Sequence, residues 1–272
     1  MTVFYLLGFS ASILIGVSLG LIGGGGSILT LPVLVYLLGV DPVAATGYSL
    51  FVVGTTSMVG AVSYMRQQQV NYKAAVFFAV PSFLAVFLTR KYLVPAIPDP
   101  FFAVGPLLMS KSMAIMLFFA LLMLVAAFSM IRDRKNTVGT ALPTLRFNIP
   151  LIAAEGLLVG TITGVVGAGG GFLIIPALVL LVRLPMKMAV GTSLLIIAVK
   201  SLVGFLGDLS TLAVNWSFLL GFTAFAVLGI FGGTYLARYV PGERLKTTFG
   251  WFVLLMGIYI IGRELITSPA FH

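Results

Sequence analysis

The sequence predicts an all-α integral membrane protein built from two related halves. Three observations carry that prediction. Charge is scarce, one long stretch recurs in register 144 residues later, and each copy holds a glycine run inside an apolar segment. Of the 272 residues, 60% are hydrophobic and 8% charged, with a mean hydropathy of +1.16; soluble domains are roughly half apolar and about a quarter charged. Such a chain has too little polar surface to clothe a core in water. A bilayer core about 30 Å thick takes about 20 apolar residues per helix, so the length allows about ten segments with short connections and leaves no room for a soluble domain. The net charge of +9 does not mark a nucleic-acid binder. Lys and Arg fall between apolar stretches and build no basic face, as cytoplasmic loop charges do. Cysteine is absent and the only histidine is His272, which excludes disulfide frameworks and the usual zinc and haem ligand sets, so no metal or cofactor is expected. Met1 to Gly20 has no basic n-region and no clear cleavage site, and it reads as a first membrane helix rather than a leader.

The repeat fixes the expected architecture. Gly16 to Pro32, GVSLGLIGGGGSILTLP, lies over Gly160 to Pro176, GTITGVVGAGGGFLIIP. The same offset pairs Gly47, Ser49 and Leu50 with Gly191, Ser193 and Leu194, and later Ser57 with Ser201, Gly60 with Gly204 and Asn71 with Asn215. Apolar segments run near 3–20, 27–39, 43–64, 74–94 and 113–131, and again near 149–166, 172–184, 188–207, 217–237 and 247–265. This gives an N-terminal membrane repeat, 1–131, a cytoplasmic linker, 132–148, and a C-terminal membrane repeat, 149–272. The second segment of each half is too short to cross alone and follows Gly23-Gly24-Gly25-Gly26 or Gly167-Ala168-Gly169-Gly170-Gly171, so each half is expected to carry a broken or re-entrant element. Five segments per half is an odd number, which sets the halves in opposite orientations: an inverted-topology repeat. Placing the loop Arg132 to Arg146 inside collects eleven of the 16 basic residues on the cytoplasmic side, leaves Arg90, Lys91, Lys111 and Arg263 outside, and puts both termini outside. The Pro- and Phe-rich stretch Val94 to Ser112 reads as interfacial.

The glycine runs are the strongest chemical signal. Glycines inside a membrane segment free backbone N–H and C=O groups, which hydrocarbon tolerates only where they are buried in protein or line a cavity. A helix that starts after such a break turns its N–H groups and positive dipole end toward that cavity. Paired interruptions in matching positions of two halves point to a transporter's binding site. Gly24, Gly25, Gly26, Gly169, Gly170 and Gly171 are the candidates, whereas Gly16, Gly20, Gly160 and Gly164 have small-xxx-small spacing and read as packing positions. No Lys-Ser or Lys-Thr follows the glycines and no βαβ unit surrounds them, so they are not a phosphate loop. On the third segments, Ser193, Ile197, Lys200 and Gly204 share one helical face with Asp208 at its end, and Ser49, Val53, Thr56 and Gly60 share the matching face. An intramembrane lysine costs roughly 2.5–3.5 kcal/mol on an insertion scale and is a functional candidate by default. The alternative for Lys200 is a structural ion pair with Glu155 or Asp208. Asp208 and Glu155 are the acids placed to carry a coupling proton. Ser27, Ser49, Thr56 and Ser193 can donate to an anion, although membrane serines more often bond backbone, and Asn71 and Asn215 read first as helix caps.

At the segments GLIGGGGSILTLP and GVVGAGGGFLIIP, followed by GYSL and GTSL, the chain resembles the sulfite exporter TauE/SafE family of bacterial permeases. The resemblance spans nearly the whole chain. It implies a multi-pass protein of the bacterial cytoplasmic membrane that exports small sulfur-containing anions such as sulfite, sulfonates or sulfoacetate and performs no enzymatic step. Lys200 maps onto no family motif, and its role rests on physical grounds. The expected partners are a small anionic substrate and membrane lipid, without nucleic acid; homo-oligomerisation stays open. A channel, or a permease for another small anion such as a carboxylate, is the alternative. An intramembrane enzyme lacks a nucleophile and base pair. The charge distribution predicts that single cysteines introduced at Thr2 and His272 label from outside intact cells and one at Lys135 only from inside; termini on opposite sides would remove the ten-segment arrangement.

Overall fold

A computed structural model of the chain describes residues 2–104, 107–132, 149–167, 170–180, 182, 184–209, 212–240 and 242–267. Eleven helices follow in order: α1 (Thr2–Ile22), α2 (Gly25–Pro32), α3 (Pro42–Arg66), α4 (Tyr72–Leu88), α5 (Val94–Ala96), α6 (Lys111–Arg132), α7 (Ile149–Val166), α8 (Gly171–Leu180), α9 (Met186–Asp208), α10 (Trp216–Leu236) and α11 (Gly242–Thr267). Two of them run on as π-helical turns, α2 through Val33–Leu37 and α4 through Thr89–Leu93. The stretch expected at the interface holds α5 and a small antiparallel ribbon, β1 (Phe102–Val104) with β2 (Leu107–Met109). Almost all of the expected linker, 133–148, lies outside the described residues.

Local chemistry explains where the long helices begin. Asp41 accepts from the backbone N–H groups of Val43 and Ala44, with Pro42 at the first helical position of α3. Asn71 accepts from Ala74 N at the start of α4, and Asn215 from Phe218 N at the start of α10. Both asparagines therefore cap helices. Each cap is also held from the opposite half: Thr192 Oγ1 accepts from Asn71 N at 2.9 Å, and Tyr48 Oη accepts from Asn215 N at 2.8 Å. The two bonds are related by the 144-residue offset.

The described helices are apolar enough for a bilayer. Five, covering Pro42–Arg66, Tyr72–Ala96, Lys111–Phe128, Met186–Asp208 and Trp216–Leu236, have the length and hydropathy to cross, and shorter apolar helices cover Leu7–Ile22, Gly26–Leu37 and Pro150–Val166. About two-thirds or more of the apolar windows of α3 and α9 are buried (67% and 72%), against 39–44% for α4, α6 and α10, so α3 and α9 form the centre. The outer helices turn apolar side chains outward: Val76, Val80, Leu84 and Leu88 make a fully aliphatic stripe along α4. That is a surface for lipid tails, since one so apolar would be unfavourable in water.

Helix pairing crosses between the halves. α1 runs parallel to α10, with Gly16 against Ala226 and Ile230 and Gly20 against Gly233 and Thr234. α7 runs parallel to α4, with Gly156 against Phe78, Gly160 against Ser82 and Ala85, and Gly164 against Thr89. Shifting residues by 144 turns the first set of contacts into the second. α3 and α9 pack antiparallel, through Gly47 with Asp208, Gly54 with Leu202 and Gly60 with Leu194, and α6 packs on α11. The four small-xxx-small glycines bring backbones together, as their spacing predicts. Gly160→Val should therefore overpack the α4–α7 contact and cost about 1–3 kcal/mol, whereas Gly262→Ala in α11, with open space around it, should be neutral or slightly stabilising. Thermal unfolding of the purified variants checks the contrast, and equal midpoints would contradict it.

Candidate functional site

The chain leaves regular helix twice against the α3–α9 pair. The first break lies between α1 and α2, where Gly23 has φ +72°; the second, between α7 and α8, has Gly167 at φ +71° and Gly170 at φ +68°. Gly23 and Gly167 occupy matched positions and take the same left-handed turn, which a residue with a Cβ adopts only at a cost. Their surroundings match as well: Gly23 sits against Val190 and the Ser193 hydroxyl of α9, and Gly167 against Thr46 of α3, where positions 46 and 190 again differ by the offset. The breaks meet each other, since Gly171 lies directly against the Gly24 Cα and beside Ile197. Freed backbone groups are thus buried in protein between the two central helices.

The helix pairs Gly47–Asp208, Gly54–Leu202 and Gly60–Leu194 place the crossing of α3 and α9 near Thr56 and Lys200. Lys200 is 1% exposed. Its Nζ donates to Thr163 Oγ1 at 3.0 Å, and it stands so close to Gly170 that a methyl group there would lie 2.6 Å from it. Among the described residues no carboxylate bonds to it, so the ion pair with Glu155 or Asp208 is not formed. Along α3 and α9, Ser49, Thr56, Ser57 and Ser201 are fully buried, and their hydroxyls have no hydrogen-bond partner. A buried ammonium with one of three donors used, on a helix pair that also carries unsatisfied hydroxyls, is suited to an anion with several acceptor oxygens.

Other candidates are occupied by the fold. Ser27 Oγ donates to Gly24 O at 2.7 Å and Ser193 Oγ to Val190 O at 2.8 Å, so both hydroxyls are used on local backbone. Gly26 packs on Ile15 and Leu19 of α1. Gly25 begins α2, Gly170 and Gly171 flank the start of α8, and Gly169 lies outside the described residues. Asp208 is buried: Arg90 Nε donates to its Oδ2 at 2.9 Å and Arg90 Nη2 to the same oxygen.

Arg90 is the residue that sequence reasoning missed as part of the site. It is 2% exposed and its Nη1 also donates to Thr46 Oγ1 at 2.8 Å and Gly164 O at 3.3 Å, so one guanidinium ties α4, α9, α3 and α7 together. The signal was present in the apolar stretches that flank Thr89-Arg90-Lys91, but the adjacent Lys91 made Arg90 resemble a loop charge. A cavity of about 130 Å³ opens beside it, lined by Val43, Arg90, Val94, Pro95, Lys111, Asp208 and Leu212. At the matching place in the other half, Tyr64, the counterpart of Asp208, donates to Gly20 O at 2.9 Å. No cluster of metal-ligating side chains occurs among the described residues.

Comparison with known proteins finds membrane-transporter relatives along nearly the whole chain. The family model described as sulfite exporter TauE/SafE matches residues 8–260. A probable membrane transporter protein of Xylella fastidiosa is 32% identical over 256 residues, covering 92% of each chain. Relatives with the same description occur in Bacillus subtilis, 27% identical over 89% of this chain and 91% of the relative, and in Methanocaldococcus jannaschii, 24% identical over 94% and 97%. No solved structure matches. The geometry of Lys200 makes one stability prediction. Removing a desolvated cation that lacks a carboxylate partner should cost the fold nothing, so Lys200→Met should hold or raise the thermal midpoint, each kcal/mol being worth about 2–4 °C. A clear fall would make Lys200 a structural tie between α9 and α7.

Proposed function

The chain belongs to the sulfite exporter TauE/SafE family of membrane transporters, and from that premise we propose that it moves small sulfur-containing anions (sulfite, sulfonates, sulfoacetate) out across a bacterial cytoplasmic membrane. The observation that carries the reading is Lys200, a cation buried at the crossing of the two central helices, beside the second glycine break and without a bonded carboxylate among the described residues. The anion binds Lys200 Nζ, with Thr56, Ser57 and Ser201 within the same polar belt and the start of α8 at Gly171 adding N–H groups and positive dipole. Sulfite and sulfonate groups present several oxygens to such donors.

Transport proceeds by alternating access of two inverted halves. Three features support the inversion. α3 and α9 are antiparallel, α1 and α7 pair in parallel with α10 and α4 respectively, and contacts interchange under the 144-residue shift. A site near the pseudo-twofold axis is then reachable from either face by equivalent motions. Export has a ready driving force: an anion leaving a cell that is negative inside gains about 2.3 kcal/mol per charge per 100 mV. Asp208 would carry a coupling proton only after release from Arg90.

Proteoliposome flux with sulfite, methanesulfonate, sulfate and simple carboxylates tests the function. Lys200→Met should weaken binding of the transported anion about 10- to 100-fold, the loss of one charge-assisted hydrogen bond, with folded yield unchanged, while Lys200→Arg should keep partial binding with altered preference. Unchanged affinity in Lys200→Met would remove Lys200 from the site, and unitary currents in planar bilayers would favour a channel.

A further inference from the structure

The charge arrangement at one end of the central helices points beyond the Lys200 site. The cavity there, about 130 Å³, has two cations and one carboxylate in its wall: Arg90, Lys111 and Asp208. Lys111 Nζ donates to Val94 O at 2.5 Å and is only partly buried. Arg90 is almost wholly buried and faces two ways, toward Asp208 at the cavity and toward Thr46 Oγ1 and Gly164 O on the inner side. Those inner acceptors lie next to the second glycine break. Gly167 packs on Thr46 and donates its N–H to Thr163 O, and Thr163 Oγ1 in turn accepts from Lys200. The guanidinium therefore stands between the cavity and the buried lysine.

The other half shows that the fold does not demand this pair. The counterparts of Arg90 and Asp208 are Thr234 and Tyr64; Thr234 Oγ1 donates to the local Phe231 O, and Tyr64 makes a neutral bond to Gly20 O. Among the described residues, helix closure at that end is made without an ion pair. A guanidinium holds a carboxylate through the same N–H geometry it offers to a sulfonate or sulfite group. An anion arriving in the cavity presents Arg90 with a substitute for Asp208, and Lys111 supplies the further positive charge.

We propose that Arg90 and Lys111 form a second, peripheral binding site for a small oxyanion, and that Arg90 exchanges Asp208 for the incoming anion, releasing Thr46 and Gly164 and opening the way to Lys200. The proposal rests on the anion-transport reading for its direction of travel, but the site can be tested without Lys200. Because the chain has no cysteine, single-cysteine reporters are clean. Val43→Cys places a thiol in the cavity wall, and Ser49→Cys places one a helical turn beyond Thr46 on α3. Labelling by a neutral maleimide is followed on the full-length protein, with methanesulfonate or sulfate compared with gluconate at equal ionic strength.

Either test anion should slow labelling at position 43 several-fold. That protection should persist in Lys200→Met, and its half-protecting concentration should rise at least about tenfold in Arg90→Gln and less in Arg90→Lys. Labelling at position 49 should be slow in the parent, faster with anion, and fast without it in Arg90→Gln. If Arg90→Gln does not fold, Lys111→Gln, outside the buried network, should raise the half-protecting concentration several-fold. Protection that fails to appear, that is unaltered by both substitutions, or that vanishes with Lys200→Met would overturn the peripheral site. Position 49 staying closed in a folded Arg90→Gln would overturn the exchange. Protection that survives in Lys200→Met while flux selectivity ignores Lys200 would count against the central site alone.

Discussion

Everything in this molecule answers to one constraint, that backbone polar groups freed inside hydrocarbon must be enclosed by protein. Two helix breaks inside the helical bundle create such groups, and α3 and α9 are the enclosure. The glycines do more than end helices: Gly171 touches Gly24, and Gly23 and Gly167 make the same turn against opposite helices. With side chains absent from these positions, the two breaks come close enough to share one protected volume. The outer helices then turn apolar faces to lipid, as the aliphatic stripe of α4 does.

The two halves share a backbone plan but not their charges. Lys200 answers to Thr56, Arg90 to Thr234 and Asp208 to Tyr64, so each of these three buried charges lies at a position whose counterpart is neutral. A scaffold with matching packing on both sides therefore carries a one-sided electrostatic field. Charges buried at a cost of several kcal/mol each are not needed to close the helices, because the counterpart end closes with a tyrosine hydroxyl. Their placement is better explained by what they hold than by what they stabilise.

Much of this was legible in the sequence because it rests on local rules. Caps at Asn71 and Asn215, the breaks at Gly23 and Gly167, packing at Gly16 and Gly160 and the burial of Lys200 all follow from residue type and spacing. The roles of Arg90 and Asp208 were not legible in that way. Both sit at helix ends, where hydropathy cannot distinguish a solvated charge from one folded inward, and their bond joins residues 118 positions apart. Hydroxyl roles divided for a similar reason: Ser27 and Ser193 bond to backbone three residues earlier, while Ser49 and Thr56 do not, and spacing alone treats the four alike.

The crossed pairing has a consequence for how the protein is made. The glycine face of α1 meets α10, and the two helices lie more than 190 residues apart in the chain. A ribosome adding about 5–20 residues per second delivers the partner only some tens of seconds after the first helix has entered the bilayer. Throughout that interval the face carrying Gly16 and Gly20 is without its final neighbour, whereas α4 needs to wait only for α7. The N-terminal helix is thus the element most dependent on a chaperone, or on transient contacts with α2 and α3, while the membrane protein is being assembled.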